Sequence, residues 1–84
     1  MTDLTAEERR LQWHCRRGLK ELDMILGPFM DEHYRQLEPL DKALFMRLVD
    51  NEDVDLFNWF MRQGTPADPE LERMIELILA RLAR

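Results

Sequence analysis

Apolar residues recur along this chain at intervals of three and four, the period of a helix with one buried face. The clearest run occupies positions 71, 74, 75, 78, 79 and 82, which are Leu, Met, Ile, Ile, Leu and Leu. It predicts a last helix that begins at Asp68-Pro69-Glu70. Leu40, Leu44, Phe45, Leu48 and Val49 form a second stripe, on a helix opened by Pro39, with Glu38 as an imperfect cap, and closed near Asp50. Leu56, Phe57, Phe60 and Met61 give a third core-facing set, with Asn51 to Asp53 as the preceding turn and Asp53 as the cap. Gly64 and Pro66 end that helix, Gly64 as a left-handed cap. Leu22, Ile25, Leu26, Phe29 and Met30 predict a helix from about Leu19 to Tyr34, kinked or broken at Gly27-Pro28. Thr5 and Glu8 have capping-box spacing and open a first helix that reaches about Arg17, with Leu11 and Cys15 turned inward. No alternating Val, Ile or Thr run suggests a strand. The expectation is all-α: a compact antiparallel five-helix bundle, one domain over residues 1–84, with Leu44, Leu48, Phe57, Phe60, Ile75 and Ile78 buried.

Length limits what such a bundle can do. A chain of 84 residues buries roughly 60–65% of its unfolded surface, so an elaborate active site competes with the core for residues. The net charge of −5 disfavours nucleic acid as a partner. That charge is unevenly spread. Residues 1–20 carry five basic and three acidic side chains, a net of +2; residues 21–60 carry three and ten, a net of −7. This polarity either orients a protein partner or is only a solvated face. No stretch approaches the ~20 apolar residues of a membrane span, and the first ten residues resemble neither a signal nor a transit peptide. A cytoplasmic protein without membrane insertion is expected.

Catalytic groups are scarce. His14 and Cys15 are adjacent, so on a helix they diverge by ~100° and form no dyad. Cys15 reads as a small core residue, and a single cysteine excludes an intramolecular disulfide. His14 and His33 lack metal-ligand spacing, Asp53 and Asp55 lack the rest of a calcium loop, and no glycine-rich phosphate loop is present.

One segment stands out. From Cys15 to Asp23, polar residues and Gly18 crowd the junction of the first two helices. Mid-helix glycine costs about 1 kcal/mol against alanine, so Gly18 marks a turn or the close approach of another backbone. Arg17 and Glu21, one turn apart if the helix continues, make either a surface ion pair or part of a binding surface. Trp13 lies off the buried stripe beside arginines, a composition common at interfaces.

The run Trp13-His14-Cys15-Arg16-Arg17-Gly18-Leu19-Lys20-Glu21-Leu22-Asp23 resembles the signature of the FAD assembly factor family, the succinate dehydrogenase assembly factors that promote covalent flavinylation. Its R-G-x-x-E motif corresponds to Arg17, Gly18 and Glu21. The resemblance continues through Pro28-Phe29, Asp53-Val54-Asp55-Leu56-Phe57-Asn58-Trp59 and Gly64-Thr65-Pro66-Ala67-Asp68, and so covers nearly the whole chain. Val54 stands where relatives are expected to have proline.

The resemblance implies a protein that is not itself an enzyme. It implies binding to the flavoprotein subunit of succinate dehydrogenase, and in bacteria often also to that of fumarate reductase. There the factor assists formation of a bond between the flavin 8-methyl carbon and a histidine of that subunit. No cofactor is held stably; FAD is handled by the partner flavoprotein. The implied partner-binding residues are Arg17, Gly18 and Glu21, flanked by Trp13, His14, Arg16, Lys20 and Asp23. Asp53 and Asp55 border the patch, while Trp59 beside Phe60 reads as core and Asn58 as a surface or turn-facing amide. A monomer without nucleic-acid or metal partners is expected. The alternatives are an antitoxin-like or regulatory module that occupies another protein's surface.

Overall fold

The computed structural model describes residues 5–82. Asp3, counted in the charge distribution above, and Arg84 lie outside them. Among the described residues are five α-helices and no strand: α1 (Ala6–His14), α2 (Lys20–Glu32), α3 (Pro39–Val49), α4 (Asp53–Phe60) and α5 (Pro69–Leu82). A 3-10 turn, Tyr34–Gln36, joins α2 to α3.

The helix starts follow local chemistry. At α1 the capping box forms: the Glu8 N–H donates to Thr5 Oγ1 at 3.0 Å and the Thr5 N–H to Glu8 Oε1 at 3.0 Å. Pro39 opens α3, where its missing N–H costs nothing. At α4 the cap position is Glu52, not Asp53; Asp53 is already helical and its carboxylate is used elsewhere.

The helix ends depart further from expectation. α1 stops at His14, about a turn before Arg17, because the chain turns at Gly18, whose φ is +80°. α2 runs through Gly27-Pro28 without a break. Pro28 leaves the Met24 carbonyl without its helical donor, but Met24 is 65% exposed, so water can serve it. At the end of α4 the left-handed residue is Arg62, with φ 59°, rather than Gly64. The Gln63 N–H reaches the Asn58 carbonyl at 2.8 Å and the Arg62 N–H the Trp59 carbonyl at 3.2 Å, which is the Schellman closure.

The core gathers the apolar stripes. α3 packs on α5, α2 packs on α4 and α5, and α4 packs on α5. Phe45 sits between Phe29 and Tyr34, with ring centroids 5.3 and 5.7 Å away. Leu44, Leu48, Phe60, Ile75 and Ile78 are buried as the spacing predicts. Phe57 is only half-buried, and so is Trp59, which packs against the edge of the core. Leu40, in the first turn of α3, is 83% exposed although it shares a face with buried Leu44. Met61 is exposed because it follows the last turn of α4. Surface pairs between Asp41 and Arg73 at 3.1 Å, and from Arg47 to Glu70 and Asp68, tie α3 to the start of α5. Such exposed pairs each contribute no more than about 1 kcal/mol.

Two outcomes test this core. Phe45→Ala removes a ring with no exposed surface and should lower the unfolding free energy by about 3–5 kcal/mol in a urea titration. Phe57→Ala should cost distinctly less, and equal costs would contradict the burial difference. Cys15 is 2% exposed, and burial pushes its thiol up to about 12. A raised folded pKa gives stability that is complete below the unfolded thiol's value of about 8.5 and is lost as pH rises towards the folded one. The stability advantage of the wild type over Cys15→Ala should therefore shrink between pH 8 and pH 10, and a constant difference would contradict it.

Candidate functional site

The junction between α1 and α2 is organised by Arg17. Its side chain is 11% exposed and reaches parts of the chain more than thirty residues away. Nε donates to Asp53 Oδ1 at 2.7 Å. One terminal nitrogen donates to the carbonyls of Val49 at 2.7 Å and His14 at 3.0 Å, and the other to the carbonyl of Asn51 at 2.6 Å. Val49 and His14 end α3 and α1, where helical carbonyls lack intrahelical donors. One guanidinium thus closes two helix C-termini and grips the first residue of α4. A cation is also favoured at the negative ends of two helices. Lysine has neither the planar fork nor enough donors for four such contacts.

The backbone of Arg17 is held as well. Its N–H donates to Asp23 Oδ1 at 2.8 Å, tying the loop to the first turn of α2. Asn51 completes the opposite side: its side-chain amide donates to the carbonyls of Leu48 at 3.0 Å and Arg47 at 3.2 Å. The expected pairing of Arg17 with Glu21 is therefore replaced by pairing with Asp53. Asp53 was legible as a residue near the patch; nothing in the sequence marks it as the counter-ion of an arginine 36 positions earlier.

This clamp leaves the middle of the motif outward. Gly18 is exposed, and a Cβ built on it meets nothing within 4 Å. Glycine is required there by φ +80°, not by crowding within this chain. Glu21 is exposed in the first turn of α2, and among the described residues its carboxylate has no hydrogen-bond or ion-pair partner. Trp13 is 73% exposed, with the Arg16 guanidinium 6.0 Å from its ring centroid. His14 is exposed 3.7 Å from Asp50, and Lys20 is exposed at the first position of α2. Trp13, His14, Arg16, Gly18, Lys20 and Glu21 are thus presented to solvent, whereas Arg17 and Asp23 are committed to the loop.

Beside the motif lies a hollow of about 470 Å³, lined by Arg17, Gly18, Leu19, Asp53, Val54 and Phe57. It accounts for the incomplete burial of Phe57. Periodicity along α4 puts Phe57 on the core side, but cannot show that the neighbouring surface is open.

Chemically, the arrangement offers recognition: an exposed aromatic, unpaired charges and bare backbone on a loop fixed from within. Among the described residues, no three His, Cys, Asp or Glu side chains gather as a metal would require, and no helix is long and apolar enough to cross a membrane.

Comparison with known proteins agrees with the motif. Residues 9–82 match the family described as flavinator of succinate dehydrogenase. The chain is 49% identical over 82 residues to the FAD assembly factor SdhE of Pseudomonas aeruginosa, covering 98% of this chain and 96% of that protein. It is 50% identical over 72 residues to the protein of the same name from Pectobacterium atrosepticum, covering 86% and 82%. The corresponding Pseudomonas putida protein is 49% identical over 77 residues, covering 92% of each chain. With the R-G-x-x-E segment inside the matched region and the likeness running almost end to end, this chain belongs to the family of FAD assembly factors, the flavinators of succinate dehydrogenase.

Proposed function

We propose that this chain binds the flavoprotein subunit of succinate dehydrogenase, and that of fumarate reductase, and promotes covalent attachment of FAD to it. The observation that carries this reading is the division of labour at the motif. Arg17 is spent inside the molecule, while Gly18 on the loop that it shapes and Glu21 in the first turn of α2 stand free. The names of the relatives supply the partner and the outcome.

The chain contributes no catalytic group and acts as a monomer in the cytoplasm. FAD stays with the flavoprotein, and the bond between the flavin 8-methyl carbon and a histidine forms in the flavoprotein's own site. A small rigid partner assists by holding mobile parts of that subunit so that histidine and flavin meet in a reactive geometry. Gly18 lets the partner lie on bare backbone, and Glu21 offers an acceptor to a donor of the flavoprotein. Arg16, Lys20, Trp13 and His14 flank that contact, and Asp23 keeps the loop in place.

Two sets of variants test this reading, with covalent flavin scored by in-gel fluorescence of the denatured flavoprotein after co-expression. Glu21→Gln and Glu21→Asp should leave the unfolding midpoint nearly unchanged, because the carboxylate has no internal partner, yet sharply reduce flavinylation. Full flavinylation by Glu21→Ala would sink the assignment. At Gly18, alanine and arginine should each lose about 1–2 kcal/mol of stability to the positive φ. They should differ in function: the arginine side chain excludes the partner and the alanine methyl far less. Equal flavinylation by the two would mean that Gly18 acts only through its conformation.

A further inference from the structure

The hollow beside the motif has a largely apolar lining, and acidic residues adjoin that lining along the chain. Leu19 and Phe57, both half-buried, and Val54, which is 63% exposed, supply the apolar lining. Two helices begin there. Leu19 is the cap position of α2 and Asp53 the first residue of α4, and each first turn is acidic: Glu21 and Asp23 on α2, Asp53 and Asp55 on α4. Glu52, exposed, immediately precedes Asp53. Asp23 and Asp53 are both bound by Arg17, which leaves exposed Glu21, two residues from Leu19, and exposed Glu52, next to Asp53, as acidic groups adjoining the lining along the chain, with exposed Lys20 between Leu19 and Glu21.

We propose that this hollow anchors the partner interface, and that it receives an apolar side chain flanked by a lysine or arginine on the flavoprotein. The inference rests on the flavoprotein reading above and adds the chemistry of the contact. An apolar side chain gains by covering Leu19, Val54 and Phe57, as the buried centre of an interface does. An adjacent cation meets Glu52 and Glu21 beside the hollow, where opposite charge speeds encounter and sets orientation. An acidic or purely polar segment would meet like charge around an apolar floor and has nothing to gain. The bare backbone of Gly18, on the wall of the same hollow, allows the incoming chain to sit close.

The test uses the full chain and purified apo-flavoprotein, with affinity measured by titration at low and at moderate salt. Val54→Lys puts a cation on the apolar lining at an exposed position and should weaken binding by about tenfold or more, whereas Val54→Ile should stay within about twofold. Glu52→Lys should weaken binding by about three- to tenfold and flatten its salt dependence. The thermal midpoint of each variant is recorded alone, and all should melt cooperatively near the wild type. If the wild type binds and Val54→Lys binds equally well, the anchor is overturned while the flavoprotein reading stands. If Val54→Lys fails but Glu52→Lys binds normally, the cationic flank is overturned. If the wild type itself does not bind, the flavoprotein reading fails and takes this occupant with it.

Discussion

Everything around the R-G-x-x-E motif depends on where one guanidinium sits. Arg17 lies in the loop after α1, yet its donors end on the last carbonyls of α1 and α3, on the turn before α4 and on the first carboxylate of α4. The bonds to the Val49 and Asn51 carbonyls are part-buried, and leaving a buried acceptor without its bond costs about 1–3 kcal/mol. A single side chain therefore sets the relation of three helix ends. It also fixes the path of the backbone through Gly18, which must turn left-handed to continue into α2.

The consequence for recognition is preorganisation. A loop that carried Gly18 and led into Glu21 without internal bracing would have to be ordered on binding, which costs affinity. Here the ordering is done during folding, by Arg17 and by the Asp23 carboxylate that receives its N–H. Exposed Trp13 has Arg16 beside it, the Glu21 carboxylate is without an internal partner among the described residues, and the hollow lies between the Gly18-Leu19 segment and α4. Leu22 and Leu56, both fully buried near the starts of α2 and α4, anchor those helix starts to the core.

Much of this was readable in the residues, and the remainder was hidden for definite physical reasons. The five helices followed from spacing, because burying an apolar stripe demands a period near 3.6. The capping box of α1 and the proline start of α3 followed because both are local chemistry. Chain breaks were harder. The stop at His14 rather than Arg17, the unbroken passage through Pro28 and the left-handed Arg62 depend on whether a carbonyl finds another donor or reaches water. Burial at the edges was harder still: Leu40 and Phe57 have the right phase, but the extent of the neighbouring elements decides their exposure. At the site, the motif residues were identifiable from the sequence, whereas the partnership of Arg17 with Asp53, Val49 and Asn51 was not. Two of those acceptors are main-chain carbonyls, which leave no mark in an amino-acid sequence.

The most direct test of this account is the unfolding free energy of Arg17→Lys, measured on the isolated chain without any partner. The variant keeps the positive charge and removes the fork. If the guanidinium braces the loop, Arg17→Lys should still fold cooperatively but lose about 1–3 kcal/mol, because one ammonium cannot serve four acceptors on three helix ends. If Arg17→Lys is as stable as the wild type, the arginine is not the brace described here, and its part in the motif must lie in direct contact with the partner.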